Sequence, residues 1–319
     1  MTPPGGPEAW DEALRAGASP APLLQSWAWG EVQSRSGWRV GRPQLETCMA
    51  TVLMRGRGRP LAYVPRGPVP PTSDALEELA GWARRERASV LRVEPEGEED
   101  LGADLRRLGF LPAAEVQPAT TLLVELKGRD ELLGSFRPKT RYNVRLAARR
   151  GVLVQEGAEG EELARQAAAT ARRQGISLPG ASYYTCLLEV LPWCRTYVAR
   201  VQGEPVAAIL VARHDGRAYY LFGGSDGRHR EAMPAYALQF EAMAAAADAG
   251  CRDYDLWGVP PEPDPSHPWF GLWQFKTGFG GRALKYAGCW DLVLDRSWAL
   301  ASRAGARVRG LAGAALRRS

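Results

Sequence analysis

The sequence predicts a mixed α/β protein built from two similar halves. The chain has 319 residues, of which 45% are hydrophobic and 24% charged, as in soluble globular proteins. Each half shows the order strand, strand, helix, strand, which indicates a duplicated unit, although no residue-by-residue repeat accompanies it. A chain of this length can bury a core in one large domain or in two of ordinary size, and the repeated order favours two.

In the first half, apolar runs within 48–65 predict two strands around a turn of glycine and arginine. A helical pattern follows over 73–87, and then a strand over 89–95. Residues 102–126 close this half with a helix and a strand. We therefore place the first domain at 1–132.

In the second half, residues 204–225 predict a strand pair around an aspartate-glycine turn. An alanine-rich helix over 234–249 ends at Gly250, because glycine commonly terminates helices. A strand over 251–258 follows. The second domain is therefore placed at 133–295.

The last segment, 296–319, is predicted to be a basic helix with apolar residues available for packing. It could dock onto the first domain or contact an anionic surface. We expect docking, because a single basic amphipathic segment has only marginal affinity for a membrane. The chain shows neither a signal-peptide pattern nor an apolar stretch long enough to span a bilayer, so we expect a cytoplasmic protein.

Charge and cysteine content narrow the class of partner and compartment. The net charge of +5 fits an anionic partner without identifying it. Five cysteines without a C-x-x-C pair predict buried thiols in a reducing compartment, not disulfides or zinc ligands. Only three histidines are present, far apart in sequence, so we expect no metal site.

The stretch FRPKTRYNVRLAARRG, residues 136–151, carries six basic side chains and no acid. In a helix over 140–150, three arginines recur every four residues on one face: Arg141, Arg145 and Arg149. An inward apolar face is expected from Val144, Ala147 and Ala148. The alternatives are a solvated face and an anion-binding face. The absence of acids favours anion binding, since the forked donors of arginine suit phosphate.

Residues 223–227, GGSDG, fit the G-x-S-x-G pattern of a hydrolase nucleophile, and Asp255 and His267 follow in the order of a catalytic triad. That nucleophile requires a strand, a sharp turn at the serine and an immediate helix. Here the next helix begins only near Pro234. We therefore expect the glycines to end a strand, not to position a nucleophile.

Residues 269–281, WFGLWQFKTGFGG, place Lys276 among aromatic side chains and glycines. A lysine in such surroundings either extends to water or is a fixed cation beside a reacting group. The glycine spacing does not match a Walker loop. A tryptophan-rich segment at 23–38 is, in contrast, typical of a core or a domain interface.

These stretches, in this order, resemble the FemABX family of peptidoglycan-bridge aminoacyltransferases. The resemblance runs from about residue 20 to residue 295, and TRYNVR and FKTGFGG are its most specific parts. The other matching stretches are QSWAWGEVQSRSGW, YVPRGPV, LRRLGF with QPATTLLVEL, YYLFGGSDGRHREAMPAYALQFEAM, GCRDYDLWGV and HPWFGLWQ.

The resemblance implies two tandem acetyltransferase-like (GNAT-like) domains. The short segment 151–200 implies the compact type without a coiled-coil insertion. Family members move an amino acid, commonly glycine, alanine or serine, from aminoacyl-tRNA to the side-chain amine of residue three in a peptidoglycan stem peptide. The acceptor is a UDP-linked muramyl pentapeptide or its lipid-linked form, which adds the inner membrane surface to the expected contacts. The aminoacyl-tRNA is a co-substrate, and no cofactor is implied.

The resemblance also implies site residues. Lys276 occupies the lysine of the family's FK-x-x-FG motif, where a cation would stabilise the negative charge that develops on the ester carbonyl oxygen. The acceptor amine must lose a proton, for which Asp255, a substrate phosphate and desolvation are the alternatives. Tyr183 and Tyr220 match tyrosines near the acceptor. The remaining substrate-binding candidates are Arg141, Arg145, Tyr142, Asn143, Gln33, Trp29 and Phe275.

Within the basic stretch, Arg141 and Arg145 are expected on phosphates of the tRNA or of the precursor, giving affinity without base specificity. Tyr142 and Asn143 are expected to fix the helix against its neighbours. Gln33 stands where some relatives carry a lysine, so phosphate binding is redistributed or the acceptor differs.

Another departure is the pair Leu178 and Pro179, where relatives carry an arginine. Two other functions remain as alternatives. An acyl-CoA N-acyltransferase would need a glycine-rich pyrophosphate loop before a helix, and SDGRHREAMP offers one glycine. A non-catalytic module would bind RNA or a cell-wall precursor without turnover.

Overall fold

Two mixed β-sheets, each packed against helices, organise the residues that the computed structural model describes. These are residues 5–97, 101–157, 159–174, 178–259, 265–266, 270–295 and 297. The chain divides into two units, one for each sheet. Within the described ranges, the first unit comprises Met1–Ala18, Pro22–Gln117 and Tyr286–Ser319, and the second Ser19–Ala21 and Pro118–Lys285.

The first unit contains a six-stranded sheet. Its strands are β1 (Arg39–Gly41), β2 (Val52–Arg55), β3 (Leu61–Pro65), β4 (Val90–Glu94), β5 (Leu111–Pro112) and β13 (Trp290–Val293). Their order is β1-β2-β3-β4-β13-β5, with β3 and β4 parallel and the other neighbours antiparallel. The helices are α1 (Gly6–Gly17), α2 (Trp27–Arg35), α3 (Ser73–Arg85) and α4 (Leu101–Arg107). Apolar side chains of β2, β3, β4 and α3 form the core.

The second unit contains a seven-stranded sheet. Its strands are β6 (Thr120–Glu125), β7 (Leu153–Glu156), β8 (Cys194–Val201), β9 (Glu204–His214), β10 (Arg217–Ser225), β11 (Asp253–Gly258) and β12 (Arg282–Lys285). Their order is β12-β6-β11-β10-β9-β8-β7, and β10 and β11 form the parallel pair. The helices are α5 (Arg129–Ser135), α6 (Pro138–Arg149), α7 (Gly160–Gln174), α8 (Ala181–Val190), α9 (Pro234–Asp248) and α10 (Phe270–Thr277).

Local sequence signals explain several of these elements. The side chain of Thr72 caps α3 by accepting a hydrogen bond from the amide of Ala75, which satisfies an otherwise free donor of the first turn. Asp215 and Gly216 both have positive φ, 47° and 74°, so the aspartate-glycine turn predicted between β9 and β10 is confirmed. The alanine-rich α9 is confirmed as well, and Gly250 follows its end with φ 84°.

Two strands lie in a different unit from the one that sequence order suggests. β6 pairs with β11 and β12 in the second sheet, while β13 pairs with β4 and β5 in the first. The units therefore divide the chain before Pro118 and after Lys285, whereas the sequence placed the boundaries at 132 and 295. Of the predicted C-terminal helix, 296–319, Ser297 alone belongs to the described residues.

The predicted burial of the thiols is confirmed for four of the five cysteines. All five are free, and they are buried at Cys48, Cys194, Cys251 and Cys289 and half-buried at Cys186. Burial raises the pKa of the Cys194 thiol to about 12, so this thiol stays protonated at neutral pH. Among the residues described, every helix is too short or too polar to cross a lipid bilayer.

Candidate active site

The two parallel strands of the second sheet separate part of the way along their length. β10 and β11 pair from Arg217 with Asp253 to Tyr219 with Asp255. Beyond this, the register of β10 shifts between Tyr220 and Phe222, and β11 is irregular up to Gly258. Because the backbones no longer bond to each other there, the sheet opens into a cavity between the two strands.

The corresponding strands of the first unit stay together. β3 and β4 pair continuously over five residues, from Leu61 with Val90 to Pro65 with Glu94. A strand pair without a gap leaves no room for a ligand between its backbones. Of the two parallel strand pairs, that of the second unit is therefore the one that offers a site.

The cavity in the second unit has a volume of about 330 Å³. Apolar groups form most of its wall, with a few polar side chains among them, as in typical ligand pockets. The lining residues are Thr170, Arg173, Leu178, Ala207, Ile209, Tyr220, Leu221, Phe222, Gly223, Gly224, Ser225, Ala235, Leu238, Gln239, Trp257, Leu272, Phe275 and Lys276.

Lys276, near the end of α10, is held as a cation in the wall of this cavity. Its side chain is only 5% exposed, so it does not extend to water. Nζ donates a 2.8 Å hydrogen bond to the carbonyl oxygen of Gly258 and lies 5.6 Å from the centre of the Tyr220 ring. Within the described part of the chain, no carboxylate lies within ion-pair distance of Nζ.

Burial lowers the pKa of Lys276 from 10.5 to about 8, and the charge of Asp255 partly opposes this change. The lysine is therefore still mostly protonated at neutral pH. A desolvated ammonium in a cavity of low dielectric interacts strongly with any negative charge that develops nearby. Chemically, the group can stabilise an oxyanion.

Asp255 supports the backbone where the strands separate. Its carboxylate is 3% exposed and accepts hydrogen bonds from the hydroxyl of Thr121 and, at 2.6 Å, from the amide of Trp257. Trp257 has φ 60°, a left-handed conformation that is strained for a bulky residue and needs such support. Asp255 does not line the cavity, and its role in removing a proton stays a prediction.

Two predicted aromatic residues line the cavity beside the lysine. Tyr220 is half-buried, and burial raises the pKa of its hydroxyl to about 12, so the phenol is neutral at neutral pH. A β-carbon added to Gly223 would lie 2.5 Å from that hydroxyl, so glycine is needed at this position. Phe275 packs against Tyr236 and Phe279, with ring centres 5.0 and 5.2 Å apart.

The turn after Lys276 is fixed to the start of the basic helix α6. The amide of Arg137 donates a 2.9 Å hydrogen bond to the carbonyl oxygen of Gly278, and the rings of Phe136 and Phe279 are 5.2 Å apart. Thr140 packs so closely on Gly278 that a β-carbon there would overlap its hydroxyl. Displacing α6 would therefore also disturb the lysine.

The predicted arginine face of α6 is present, with one arginine partly engaged. Arg141 is half-buried and donates a 2.7 Å hydrogen bond to the carbonyl oxygen of Gly134. Arg145 and Arg149 are exposed, and the Arg149 guanidinium lies 5.7 Å above the ring of Tyr142. Among the described residues, no carboxylate forms an ion pair with any of these three arginines.

Two expectations about α6 are wrong. Tyr142 is 55% exposed, so it does not fix the helix, because its ring points to the solvent side beside Arg149. Ala148 is exposed and does not belong to the inward face. That face is formed by Val144 and Ala147, with Asn143 buried beside them as expected.

The other predicted site residues lie outside the cavity wall. Tyr183, on α8, is half-buried, and its ring centre is 6.0 Å from that of Phe222, which does line the cavity. Trp29 and Gln33 belong to α2 of the first unit, and both are buried there. The expectation that the tryptophan-rich segment forms a core is thus confirmed for Trp29.

The serine of the GGSDG stretch is not a nucleophile positioned before a helix. Ser225 ends β10, as expected, and a segment with a short 3-10 helix at Arg230–Ala232 separates it from α9. Gly224 packs against the backbone of Gln166, which requires glycine. His267, the third member of the alternative triad, lies outside the described residues.

Sequence reasoning did not place several polar and aromatic residues of the cavity wall in the site, namely Thr170, Arg173, Phe222, Ser225, Gln239 and Trp257. No motif surrounds Arg173, and its place depends on the packing of α7 against the end of β10. Trp257 stands in the quoted strand DYDLWG, but a left-handed tryptophan has no sequence signal. Within the described chain, no group of three or more His, Cys, Asp or Glu side chains could hold a metal ion.

Two mixed sheets, one with separated parallel strands, define a tandem acetyltransferase-like protein. The fold is shared with a tandem GNAT protein from the clavulanic acid biosynthesis pathway, with a TM-score of 0.51 and 14% identity over 88% of this chain and 91% of that one. It is shared more fully with the crystal structure of FemX, with a TM-score of 0.78 and 22% identity over 90% of this chain and 97% of that one. The predicted fold is confirmed.

The chain belongs to the FemAB family, whose model matches residues 99–192 and 196–304. A lipid II:glycine glycyltransferase of Staphylococcus epidermidis is 24% identical over 367 aligned positions, covering 86% of this chain and 88% of the relative. That of Staphylococcus haemolyticus is 25% identical over 370 positions. The predicted enzyme class, aminoacyltransferase, is confirmed.

The alignments are longer than this chain of 319 residues, so these relatives carry residues that it lacks. Between 151 and 200, the longest described helix is α7 with 15 residues. A coiled coil of two long helices has no counterpart in the described part of that segment. The chain is therefore of the compact type.

Proposed function

We propose that this protein moves an amino acid from aminoacyl-tRNA to the side-chain amine of residue three in the stem peptide of a peptidoglycan precursor. The observation that carries the proposal is the buried Lys276 ammonium in the cavity wall, held by the Gly258 carbonyl oxygen and the Tyr220 ring. The glycyltransferases among the relatives act on lipid II, which favours a lipid-linked acceptor over a UDP-linked one.

In the proposed reaction, the acceptor nitrogen attacks the carbonyl carbon of the aminoacyl ester. The C–N bond forms, negative charge collects on the carbonyl oxygen, and the C–O bond to the ribose then breaks. The amine proton leaves the nitrogen, and the ribose oxygen departs as a hydroxyl. Lys276 would stabilise the oxyanion, a contribution typically worth about 3–4 kcal/mol when one such donor is removed.

The acceptor amine must be neutral to attack, and its pKa in water is about 10.4. The carboxylate of Asp255 already accepts two hydrogen bonds and does not line the cavity. Burial lowers the pKa of Lys276 to about 8, and an acceptor amine entering the same cavity would experience the same desolvation. Of the three ways in which the acceptor amine could lose its proton, desolvation is thus the one best supported by the structure.

The donor tRNA would lie along α6. Arg145 and Arg149 are exposed on one face, and no acid on this helix competes for them. Since α6 is fixed to the turn after Lys276, phosphate contacts on this face would place the 3′ end in a defined position relative to the lysine. Such contacts give affinity that falls with salt.

The test is to incubate the purified chain with tRNA charged with glycine, alanine or serine, together with UDP-muramyl pentapeptide or its lipid-linked form. Product mass identifies the amino acid transferred and the acceptor used. Transfer with at least one pair, abolished in Lys276→Met, is the expected result. Transfer from acetyl-CoA without transfer from any charged tRNA would instead indicate an acyl-CoA enzyme.

Binding of tRNA and precursor without product, in the wild-type protein, would indicate a non-catalytic module. Variant Lys285→Met is a matched control, because it removes an exposed lysine of β12 that lies outside both the cavity wall and α6. It should leave turnover nearly unchanged. An equal loss in both variants would show that the effect of Lys276→Met is not specific to the cavity.

A further inference from the structure

A second cation lines the same cavity. Arg173, near the end of α7, is exposed, and its Nη2 donates hydrogen bonds to the hydroxyls of Thr170, at 3.1 Å, and Ser225, at 3.3 Å. These bonds fix the guanidinium where β10 ends. Lys276 lines the cavity in its buried wall, whereas Arg173 lines it at the solvent side.

The partners of Arg173 are neutral. Within the described residues no carboxylate pairs with it, although arginines elsewhere in this unit do form ion pairs, such as Arg165 with Glu162. The hydroxyl of Thr170 donates its proton to the carbonyl oxygen of Ser225 and accepts from the Ser225 amide. Thr170 is therefore fully engaged, and its role is to hold the arginine and the strand end together.

Three donor groups remain without an acceptor among the described residues: Nε and Nη1 of Arg173 and the hydroxyl of Ser225. A guanidinium presents its N–H groups in a planar fork that matches the two oxygens of a carboxylate. With Nη2 engaged by the two hydroxyls, the remaining N–H groups of the fixed guanidinium and the hydroxyl donor of Ser225 can bond the oxygens of such a group. The GGSDG stretch thus contributes an anion contact instead of a nucleophile.

Most of the wall between the two cations is apolar. It includes Ile209, Leu238 and Phe275, which offer no hydrogen-bond partner. The ligand that fits is an aliphatic chain with its reactive end at Lys276 and an anionic group at the solvent side. A diamino acid within a peptide has this form, because methylene groups separate its side-chain amine from the backbone, and the free carboxylates of the peptide, at its chain end or on acidic residues, lie on the backbone side.

We infer that Arg173, with the Ser225 hydroxyl, binds a carboxylate of the acceptor peptide while the amine-bearing side chain crosses the apolar part of the cavity. This inference rests on the proposed function for the identity of the acceptor. The aminoacyl-tRNA fits the apolar part of the cavity less well than the acceptor. A ribose and its phosphates are polar along their length and would leave hydroxyls against apolar walls. Arg173 is accordingly a specificity residue for the acceptor.

The experiment compares Arg173→Gln with Arg172→Gln, which removes the neighbouring exposed arginine of α7 that does not line the cavity. The acceptors are a muramyl pentapeptide with lysine at position three and the same peptide with its carboxylates amidated, singly and together. KM for the acceptor, KM for charged tRNA and kcat are measured for each protein.

We expect Arg173→Gln to raise KM for the free-carboxylate acceptor about tenfold with little change in kcat, as for loss of one exposed charge-assisted contact. Amidation of the bound carboxylate should raise the acceptor KM of the wild-type protein by a similar factor. With that amidated acceptor, the wild type and Arg173→Gln should have the same KM. Arg172→Gln should behave as the wild type. An unchanged acceptor KM, or a difference that persists with every amidated acceptor, would overturn the inference.

A raised KM for charged tRNA alone would also overturn it, and would assign Arg173 to an RNA phosphate. If the wild-type protein shows no transfer, the proposed function fails, and titration calorimetry with the two peptides still tests the inference. Tighter binding of the free-carboxylate peptide by the wild type than by Arg173→Gln supports it. Equal binding by both proteins, or none by the wild type, refutes it.

Discussion

Replacing Lys276 by methionine is expected to abolish most of the turnover without destabilising the fold. Methionine has nearly the same length as lysine but carries no charge, so it can occupy the same buried space. Nearly all of the lysine is inaccessible to water, and among the described residues its Nζ donates a hydrogen bond to the carbonyl oxygen of Gly258. The effect of the substitution on turnover and its effect on the free energy of unfolding can therefore be measured separately.

The stability change follows from the pKa of Lys276, which burial lowers from 10.5 to about 8. This difference corresponds to about 3 kcal/mol by which the folded state disfavours the ammonium at pH 7. The variant loses the bond to the Gly258 carbonyl oxygen, which costs about 1–2 kcal/mol. The free energy of unfolding of the variant at pH 7 should therefore equal that of the wild type or exceed it by about 1–2 kcal/mol.

The lowered pKa of Lys276 also determines how the free energy of unfolding of the wild type changes with pH. Below pH 8 the lysine is protonated in both folded and unfolded states, and the full destabilisation is present. Between pH 8 and 10.5 the unfolded chain holds the proton and the folded protein does not, so the wild type gains stability as the pH rises. Urea unfolding at pH 7 and pH 9.5 should show a gain of about 2 kcal/mol that the variant lacks.

Lys285→Met, at an exposed position of β12, should show neither effect and serves as the control. A variant Lys276→Met that is several kcal/mol less stable than the wild type at pH 7, with the same pH dependence, would show that the lysine is not a desolvated cation. In the transfer assay, loss of an oxyanion contact should lower kcat about 10²–10³-fold. A loss below about threefold would remove the catalytic assignment even if the stability prediction holds.

Three further changes test neighbouring features. Tyr220→Leu removes the ring that faces Nζ at 5.6 Å and should lower kcat in the transfer assay about tenfold, whereas Tyr220→Phe keeps a ring and should stay within about threefold of the wild type. Equal losses in the two variants would assign the effect to the hydroxyl. Gly224→Ala would overlap the backbone of the facing helix and should lower the free energy of unfolding in urea by about 1–3 kcal/mol, while Gly180→Ala, which meets open space, should be nearly neutral; similar values for both would contradict the close packing. Arg145→Ala should weaken tRNA binding and reduce the slope of log affinity against log salt by about one, whereas Arg165→Ala, ion-paired on α7, should not; an unchanged slope for the first would remove α6 from the RNA surface.

The elements that the sequence predicts correctly are those fixed by neighbours in the chain. The turn between β9 and β10 needs two residues at positive φ, and aspartate-glycine supplies them locally. The spacing of arginines on α6 is likewise a local property of a helix. Lys276 could be singled out because its aromatic and glycine neighbours are adjacent in sequence.

The placement of β6 and β13 could not be predicted in this way. Both are short apolar strands, and their sequences do not state which sheet they join. β6 pairs with strands about 130 and 160 residues later, and β13 pairs with a strand about 200 residues earlier. Such choices depend on which sheet edges are available after the rest has folded, which periodicity does not encode.

The parallel strand pairs of the two units differ in the bonds that their carboxylates make. In the first unit, the Glu94 carboxylate at the end of β4 accepts hydrogen bonds from the Tyr63 hydroxyl on β3 and from the amides of Val116 and Gln117. It thereby bonds the two parallel strands to each other and to the following loop.

In the second unit, the corresponding carboxylate, Asp255 on β11, bonds instead to Thr121 on β6 and to the amide of Trp257 in its own strand. It holds β11 to its other neighbour and stabilises the left-handed residue at which the strand turns away from β10. The carbonyl oxygen of Gly258 then faces Lys276 and accepts its hydrogen bond. A carboxylate at the last paired position of each parallel pair thus closes the strands in one unit and supports their separation in the other, and the separated pair lies beside the buried cation to which the proposed function assigns oxyanion stabilisation.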